Sequence, residues 1–302
     1  MNLFSSSHKD AVIVYLAGGL GNQIFMLASG WNLAKKNGVP LLVDTSFYVA
    51  KKFRGPDLLL ASTPAYSLGS ESPWGSARLP GGRVLPYPRR LSAARYPPLI
   101  DFSLRSTQKE LNCTQPSRTL VGYFQSFRFF REVEEDIAVW LNNATFPASS
   151  PGRREALTEN SFVAIHLRRG DLVNPGPGKK IFPSLDYFLD ALALLPPEAQ
   201  SLPLVVFSDS PHLVRTEIGL HPVFNQLVID YFEDNELSSV ETLVTMSKAQ
   251  HFILGSSTFG FWAAWLGQLR CPDTTIIFSP ESARSFWNRT DTKIEPHYVE
   301  NQ

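Results

Sequence analysis

Apolar runs of strand length recur along this chain, and most are followed by apolar positions at helical spacing. Ala11-Val-Ile-Val-Tyr-Leu-Ala17 reads as a buried strand. A tight loop, Gly18-Gly19-Leu-Gly21-Asn22, follows it. Ile24, Phe25, Ala28, Trp31 and Ala34 then mark one face of a helix, and Lys35-Lys36-Asn37-Gly38 supplies a cationic last turn and a glycine stop. Val39-Pro-Leu-Leu-Val-Asp44 is the next strand, which completes a βαβ opening. From Lys51 to Gln115 the pattern breaks down into Pro, Gly, Ser and Arg, with short elements at most, expected to drape over the first domain and contribute to an acceptor site. Thr119 to Ser126 is strand-like, and Phe129, Val133, Ile137, Trp140 and Leu141 line a helix.

Asn142 to Arg154 is small, polar and carries two prolines, so it reads as a linker. Beyond it, strand and helix alternate. Phe162 to His166, Leu204 to Asp209, Leu227 to Asp230, His251 to Gly255 and Thr275 to Phe278 are strands, the last being the final one expected. Leu185 to Leu195, the stretch opened by Ser210-Pro211, Leu237 to Met246 and the stretch after Ser256-Ser257-Thr258 are helices. Alternation of this kind predicts an α/β fold built on parallel sheets. The expected domains are residues 1–150 and 151–302.

Lys+Arg and Asp+Glu both number 28 in the 302 residues. A net charge of zero supplies no field for nucleic acid, so nucleic acid is not an expected partner and any basic site must be local. The two cysteines, Cys113 and Cys271, do not make a disulfide scaffold. No apolar run approaches the length of about 18 residues that spans a bilayer. Met1 to Asp10 lack the apolar core of a signal peptide, and three Asn-x-Ser/Thr matches do not argue for secretion. A cytoplasmic location, peripheral to a membrane whose lipid carries the substrate, is the expectation.

The candidate chemistry gathers at strand ends, where open α/β sheets bind ligands. Phe162-Val-Ala-Ile-His166-Leu-Arg168-Arg169-Gly-Asp171 ends a strand with an imidazole, two guanidiniums and a carboxylate. Alternation puts His166 and Arg168 on one face and Ile165 and Leu167 on the other. An arginine fork suits phosphate oxygens; a buried Arg–Asp pair holding a loop is the competing reading. Ser256, Ser257 and Thr258 at a helix start form a second anion cradle, or simply an N-cap, and Phe259 stands at its mouth. Phe261, Trp262 and Trp265 are better core than stacking platform. Asp209 ends its strand where it can accept from a base or ribose, or cap the next helix. Gly19 and Gly21, with Asp44 after the second strand, match a dinucleotide fingerprint in part, but Ile24 stands where the third glycine belongs. Asn22 can cap its helix or reach a substrate oxygen. No cluster has metal-ligand spacing, so arginine and helix dipoles are expected to bind a pyrophosphate without metal.

These residues form motifs. His166-Leu-Arg168-Arg169-Gly-Asp171 resembles the H-x-R-R-x-D motif of the α-1,2-fucosyltransferases of glycosyltransferase family 11. Gly18-Gly-Leu-Gly-Asn22-Gln23 is similar to that family's N-terminal loop, and Gly122-Tyr-Phe-Gln-Ser126 to its central segment. Glu241 to Ser247 and Ser256 to Trp265 resemble its closing motifs, although Gly255-Ser256 stands where many members have Asn-Ser. The matches fall in the family's order from about Val12 to Trp265.

The resemblance implies a GT-B fold, two Rossmann-like domains facing across a cleft. It also implies GDP-β-L-fucose as donor, inversion at the sugar, no cofactor and no metal. The implied acceptor is a galactose-terminated oligosaccharide or glycolipid, fucosylated at the 2-hydroxyl. Arg168 would bind the β-phosphate. His166, Asp209 and the Ser256–Phe259 turn would hold the nucleotide with Arg169, and Asn22 would face the sugar or the acceptor. Asp171 is the candidate base, against the alternative that it only orients the arginines. Other readings stay open: another fucosyl linkage, a non-catalytic sugar-nucleotide binding module, or a dehydrogenase using the first βαβ unit.

Overall fold

The computed structural model describes residues 11–45, 48, 119–143, 161–170, 182–232 and 238–300, and the backbone alone at 65–67, 74–78, 84–88, 99–101 and 118. The chain divides into two compact units, residues 1–145 with 289–291, and 146–288 with 292–302. The return of 289–291 to the first unit has no signal in the sequence pattern.

The first unit opens with β1 (Val12–Tyr15), α1 (Leu20–Asn37) and β2 (Leu41–Asp44). Four short strands follow: β3 (Ala65–Ser67), β4 (Trp74–Arg78), β5 (Val84–Pro88) and β6 (Leu99–Asp101). Then come β7 (Arg118–Gly122) and α2 (Glu134–Asn142). The sheet is parallel in the order β3-β2-β1-β7-β6, while β4 and β5 form a separate antiparallel pair. The stretch that breaks the sequence pattern thus supplies both edge strands of this sheet. The expected acceptor side chains of Lys51–Gln115 lie almost wholly outside the described residues.

Helix α1 is apolar on most of its circumference because it is buried. It can lie against β1 because residue 30 is glycine: a Cβ there would come 2.0 Å from Val14 Cγ2. Its end follows the sequence expectation. Gly38 is left-handed, at φ 62°, and its N–H donates to the carbonyls of Ala34 and Lys35.

The second unit holds β8 (Val163–His166), α3 (Leu185–Ala193), α4 (Pro197–Gln200), β9 (Leu204–Phe207) and α5 (Pro211–Leu220). It continues with β10 (Ile229–Tyr231), α6 (Ser239–Met246), β11 (His251–Leu254) and α7 (Thr258–Arg270). It closes with β12 (Ile277–Pro280), α8 (Arg284–Thr290) and β13 (His297–Val299). All six strands are parallel, in the order β10-β9-β8-β11-β12-β13. Strand β12 is therefore not the last. Strand β13 is a three-residue edge too short and too polar to show a period. Pro197 opens α4 at its first position.

Ile165 and Leu167 lie in one core layer with Tyr187, Phe188, Val206, Val214 and Ile253. Phe261, Trp262 and Trp265 of α7 are fully buried, so the aromatic cluster is core. Helices α6 and α7 pack together, and the Arg270 guanidinium donates to the carbonyls of Lys248 and Ala249 at 2.8 Å each, beyond the end of α6. Among the described residues no helix is long and apolar enough to cross a membrane.

Candidate active site

In the second sheet β8 is followed by β9 on one side, while β11 lies on its other side. The chain changes direction between β8 and β11, and that switch point is where an open α/β sheet leaves a crevice at its carboxyl edge. His166 ends β8 beside Leu254 and Phe207. Its ring is 5% exposed and stacks on Phe259, with centroids 5.5 Å apart and planes at 21°. Burial lowers its pKa to about 4; Asp209 raises it and Arg168 lowers it by smaller amounts. His166 is thus neutral at physiological pH. Nδ1 is sealed from solvent without a hydrogen-bond partner among the described residues, against α7, where a Cβ on Gly260 would come within 2.9 Å of it.

The residues after β8 are held by Asp209, which follows β9. Its Oδ1 accepts the backbone N–H of Arg169 at 2.8 Å and of Gly170 at 2.9 Å. Its Oδ2 lies 3.6 Å from Arg168 Nε. Asp209 does not cap the helix after it. Its reach toward a base or ribose is limited, because Oδ1 already serves two backbone donors. Glycine at 170 leaves room for this clamp, since a Cβ there would meet Asp209 Oδ2 at 2.7 Å.

The two arginines part company. Arg168 is about one-third exposed beside Asp209. Arg169 is 3% exposed, and its Nε and Nη2 donate to the two carboxylate oxygens of Glu217 on α5 at 2.7 and 2.9 Å. Nη2 also donates to Pro183 O at 3.0 Å, and Nη1 to Arg168 O at 3.4 Å. Arg169, expected beside the nucleotide, thus has its guanidinium turned to Glu217 and Pro183 inside the fold. Asp171 lies outside the described residues.

Helix α7 begins at the same crevice. Ser257 caps it, its hydroxyl accepting the Phe259 N–H at 3.1 Å. One hydroxyl of the three therefore does the capping. Ser256 is exposed and Thr258 half-buried at the positive end of a 13-residue helix. The turn is fastened from behind by Gly255 N–H to His166 O, 3.2 Å, and by Tyr187 Oη to Leu254 O, 2.8 Å. Glu241 of the closing motif completes the capping box of α6 with Ser238 and plays no part in this crevice.

In the first unit, Gly19 is the N-cap of α1 and no side chain caps it, so Asn22 is not a cap. Asn22 Oδ1 instead accepts from Gln125 Nε2 at 2.9 Å. Gly18, at φ 75°, is the loop position that needs glycine; its carbonyl accepts from Gln23 Nε2 at 2.9 Å and Tyr48 Oη at 2.8 Å. Gly19 has ordinary backbone angles, and Gly21 lies in the first turn of the helix rather than in a loop. Asp44 is buried at the end of β2. Gln125, Gln23, Glu217 and Gly260 thus belong to the two sites, although the sequence pattern alone gives them no role. Of these Gln23, Gln125 and Gly260 fall inside the family motifs, and Glu217 does not.

Described one by one, the two units are Rossmann-like α/β bodies built on parallel sheets, the pair of the GT-B fold class. Residues 120–300 match the family model of glycosyl transferase family 11, and the chain belongs to that family and is a glycosyltransferase. It is similar to the α-1,2-colitosyltransferase of Escherichia coli, 23% identical over 264 residues, 84% of this chain and 87% of that protein. It is also similar to galactoside α-(1,2)-fucosyltransferase 2 of Gorilla gorilla gorilla, 26% identical over 280 residues, 88% of this chain and 75% of the other. Among solved structures the fucosyltransferase NodZ from Bradyrhizobium covers 85% of this chain and 92% of its own at a TM-score of 0.45 and 15% identity, a distant likeness.

Proposed function

We propose that this glycosyltransferase moves L-fucose from GDP-β-L-fucose to the 2-hydroxyl of a terminal galactoside, with inversion and without metal. The observation that carries the reading is the juxtaposition of Arg168, Asp209 and the α7 N-terminus at one sheet switch point in a member of family 11. The fucosyl and colitosyl relatives, each named for an α-1,2 linkage, support the regiochemistry.

In this reading the bond between C1 of the sugar and the β-phosphate oxygen breaks, and C1 bonds to the acceptor oxygen, whose proton is lost. Negative charge grows on the β-phosphate. Arg168 and the helix terminus bind that charge better as it develops, which lowers the barrier. His166 is neutral, so it presents a donor or an acceptor to the nucleotide without adding charge. Asn22 serves the sugar or acceptor from the first unit. Asp171 is the candidate base, and an oxocarbenium-like path would ask little of it.

The test is GDP release from GDP-fucose with and without lactose, in EDTA, beside Arg168→Ala. Release that needs lactose, survives EDTA and falls about 100-fold or more in the variant supports the reading; the fall corresponds to roughly 3–4 kcal/mol, the size of one preorganised donor. No release and no GDP binding would overturn it. A GDP-linked colitose donor used in preference to GDP-fucose would replace fucosyl by colitosyl transfer, the second reading that the Escherichia coli relative favours.

A further inference from the structure

We propose that Glu217 is a positioning residue: by holding the Arg169 guanidinium inside the fold it fixes the peptide that presents Arg168 to the donor phosphate. The inference rests on the reading of Arg168 given under Proposed function.

Two adjacent arginines after a strand compete for the same anion unless one is taken out of play. Here Arg169 is taken out of play by a bidentate fork on Glu217, its Nε and Nη2 at 2.7 and 2.9 Å from the two carboxylate oxygens. The pairing is asymmetric. The Arg169 side chain is 3% exposed and the Glu217 side chain 36%, so the carboxylate comes from the outer side of α5 to meet a buried cation. Two further donors of Arg169 go to Pro183 O and, at 3.4 Å, to the carbonyl of Arg168 itself. Phe182 lies under the guanidinium, 5.8 Å from its carbon to the ring centroid. The backbone of Arg169 is pinned from another direction by Asp209. Side chain and backbone of residue 169 are therefore fixed by two separate elements, α5 and the end of β9. Its neighbour Arg168 takes its direction from both constraints.

A buried guanidinium deprived of its carboxylate seeks another anion. An anion at the same strand end is Asp209, whose Oδ2 lies 3.6 Å from Arg168 Nε. Loss of Glu217 is thus expected to misdirect Arg168 rather than only loosen the core. A purely structural pair would lower stability and leave the contribution of Arg168 unchanged.

The experiment is a double-mutant cycle on GDP affinity in the full chain, with thermal stability measured for each protein: wild type, Glu217→Gln, Arg168→Ala and both together. Gln keeps the shape of Glu217 but removes its charge and turns an N–H toward the guanidinium. Glu217→Gln is expected to weaken GDP binding roughly tenfold when Arg168 is present and less than about twofold when it is absent, a coupling within the usual range for residues sharing one network. Glu217→Asp, which keeps the carboxylate, is expected to recover part of the affinity, and it replaces Glu217→Gln in the cycle if that variant does not fold. Equal losses in both backgrounds, or a fall in melting temperature with unchanged GDP affinity, overturn the inference while leaving Arg168 as phosphate ligand. Wild-type protein that binds no GDP overturns the underlying reading as well.

Discussion

Gln125 holds Asn22 by donating its amide to Asn22 Oδ1 at 2.9 Å across 103 residues of sequence. The turn that delivers Gln125 is unusual: Gly122 sits at φ 138° and Phe124, fully buried, at φ 47°. A non-glycine residue in the left-handed region persists only where its surroundings over-determine it. The bond also orients the Asn22 amide, leaving its nitrogen over Gly18, where a Cβ would lie 3.1 Å from it. Gln125→Glu cannot donate this bond. It is expected to cost about 1 kcal/mol of stability, the size of one hydrogen bond. Turnover should fall while GDP affinity holds, because the residues proposed to hold the nucleotide lie in the other unit. Kinetics with GDP-fucose beside GDP titration checks this, and a variant with unchanged turnover would remove Asn22 from the mechanism.

Gly170→Ala tests the clamp on the loop after β8. The new Cβ would stand 2.7 Å from Asp209 Oδ2, so the carboxylate must move and release the N–H groups of residues 169 and 170. Leaving such donors unpaired costs about 1–3 kcal/mol. GDP affinity is expected to drop about tenfold or more, and calorimetric titration that finds it unchanged would mean the clamp does not shape the site.

His166 sets a pH dependence. Its pKa is about 4 in the fold, lowered chiefly by burial, against an ordinary value of 6.5 in the unfolded chain. Between these values the unfolded chain binds the additional proton, so stability falls as pH drops from about 6.5 to about 4 and the effect levels off below that. The full effect is on the order of 3 kcal/mol, since each tenfold loss of proton affinity is worth about 1.4 kcal/mol. Denaturant melts of wild type and His166→Gln should converge over that window, since the variant lacks the titration. Parallel curves would show that the imidazole has the same pKa folded and unfolded.

Gly30→Ala probes packing away from any site. The methyl would fall 2.0 Å from Val14 Cγ2 and 2.9 Å from Leu41 Cδ1, so α1 must lift from the sheet. Overpacking of this kind costs about 1–3 kcal/mol. The melting temperature is expected to fall with GDP affinity unchanged, and an unaltered melting temperature would mean that α1 shifts freely on β1.

The α/β class, the parallel strands and the placement of His166 and Arg168 at a strand's carboxyl end were legible because they are local. A buried strand needs an apolar run, a helix needs its spacing and its stop, and both are written in neighbouring residues. The alternation that separates Ile165 and Leu167 from His166 and Arg168 is of this kind, and the core layer contains the first pair. The helix stop at Gly38 and the N-cap at Ser257 are as local. Short edges such as β3, β6 and β13 carry no period of their own and form because a neighbouring strand offers hydrogen bonds.

Partner choice was not legible. The sequence by itself determined that two arginines, a histidine and an aspartate crowd one strand end. Only the tertiary structure decided which of them the fold consumes. Arg169 goes to Glu217, 48 residues on, because α5 docks with that carboxylate over β8. Asp209 turns to backbone N–H groups because β9 lies beside β8. Asn22 goes to Gln125 rather than to its helix because β7 lies beside β1. A side chain's pattern fixes its face, but its hydrogen-bond partner depends on which elements the packed core brings within 3 Å or so, and that is a property of the whole chain.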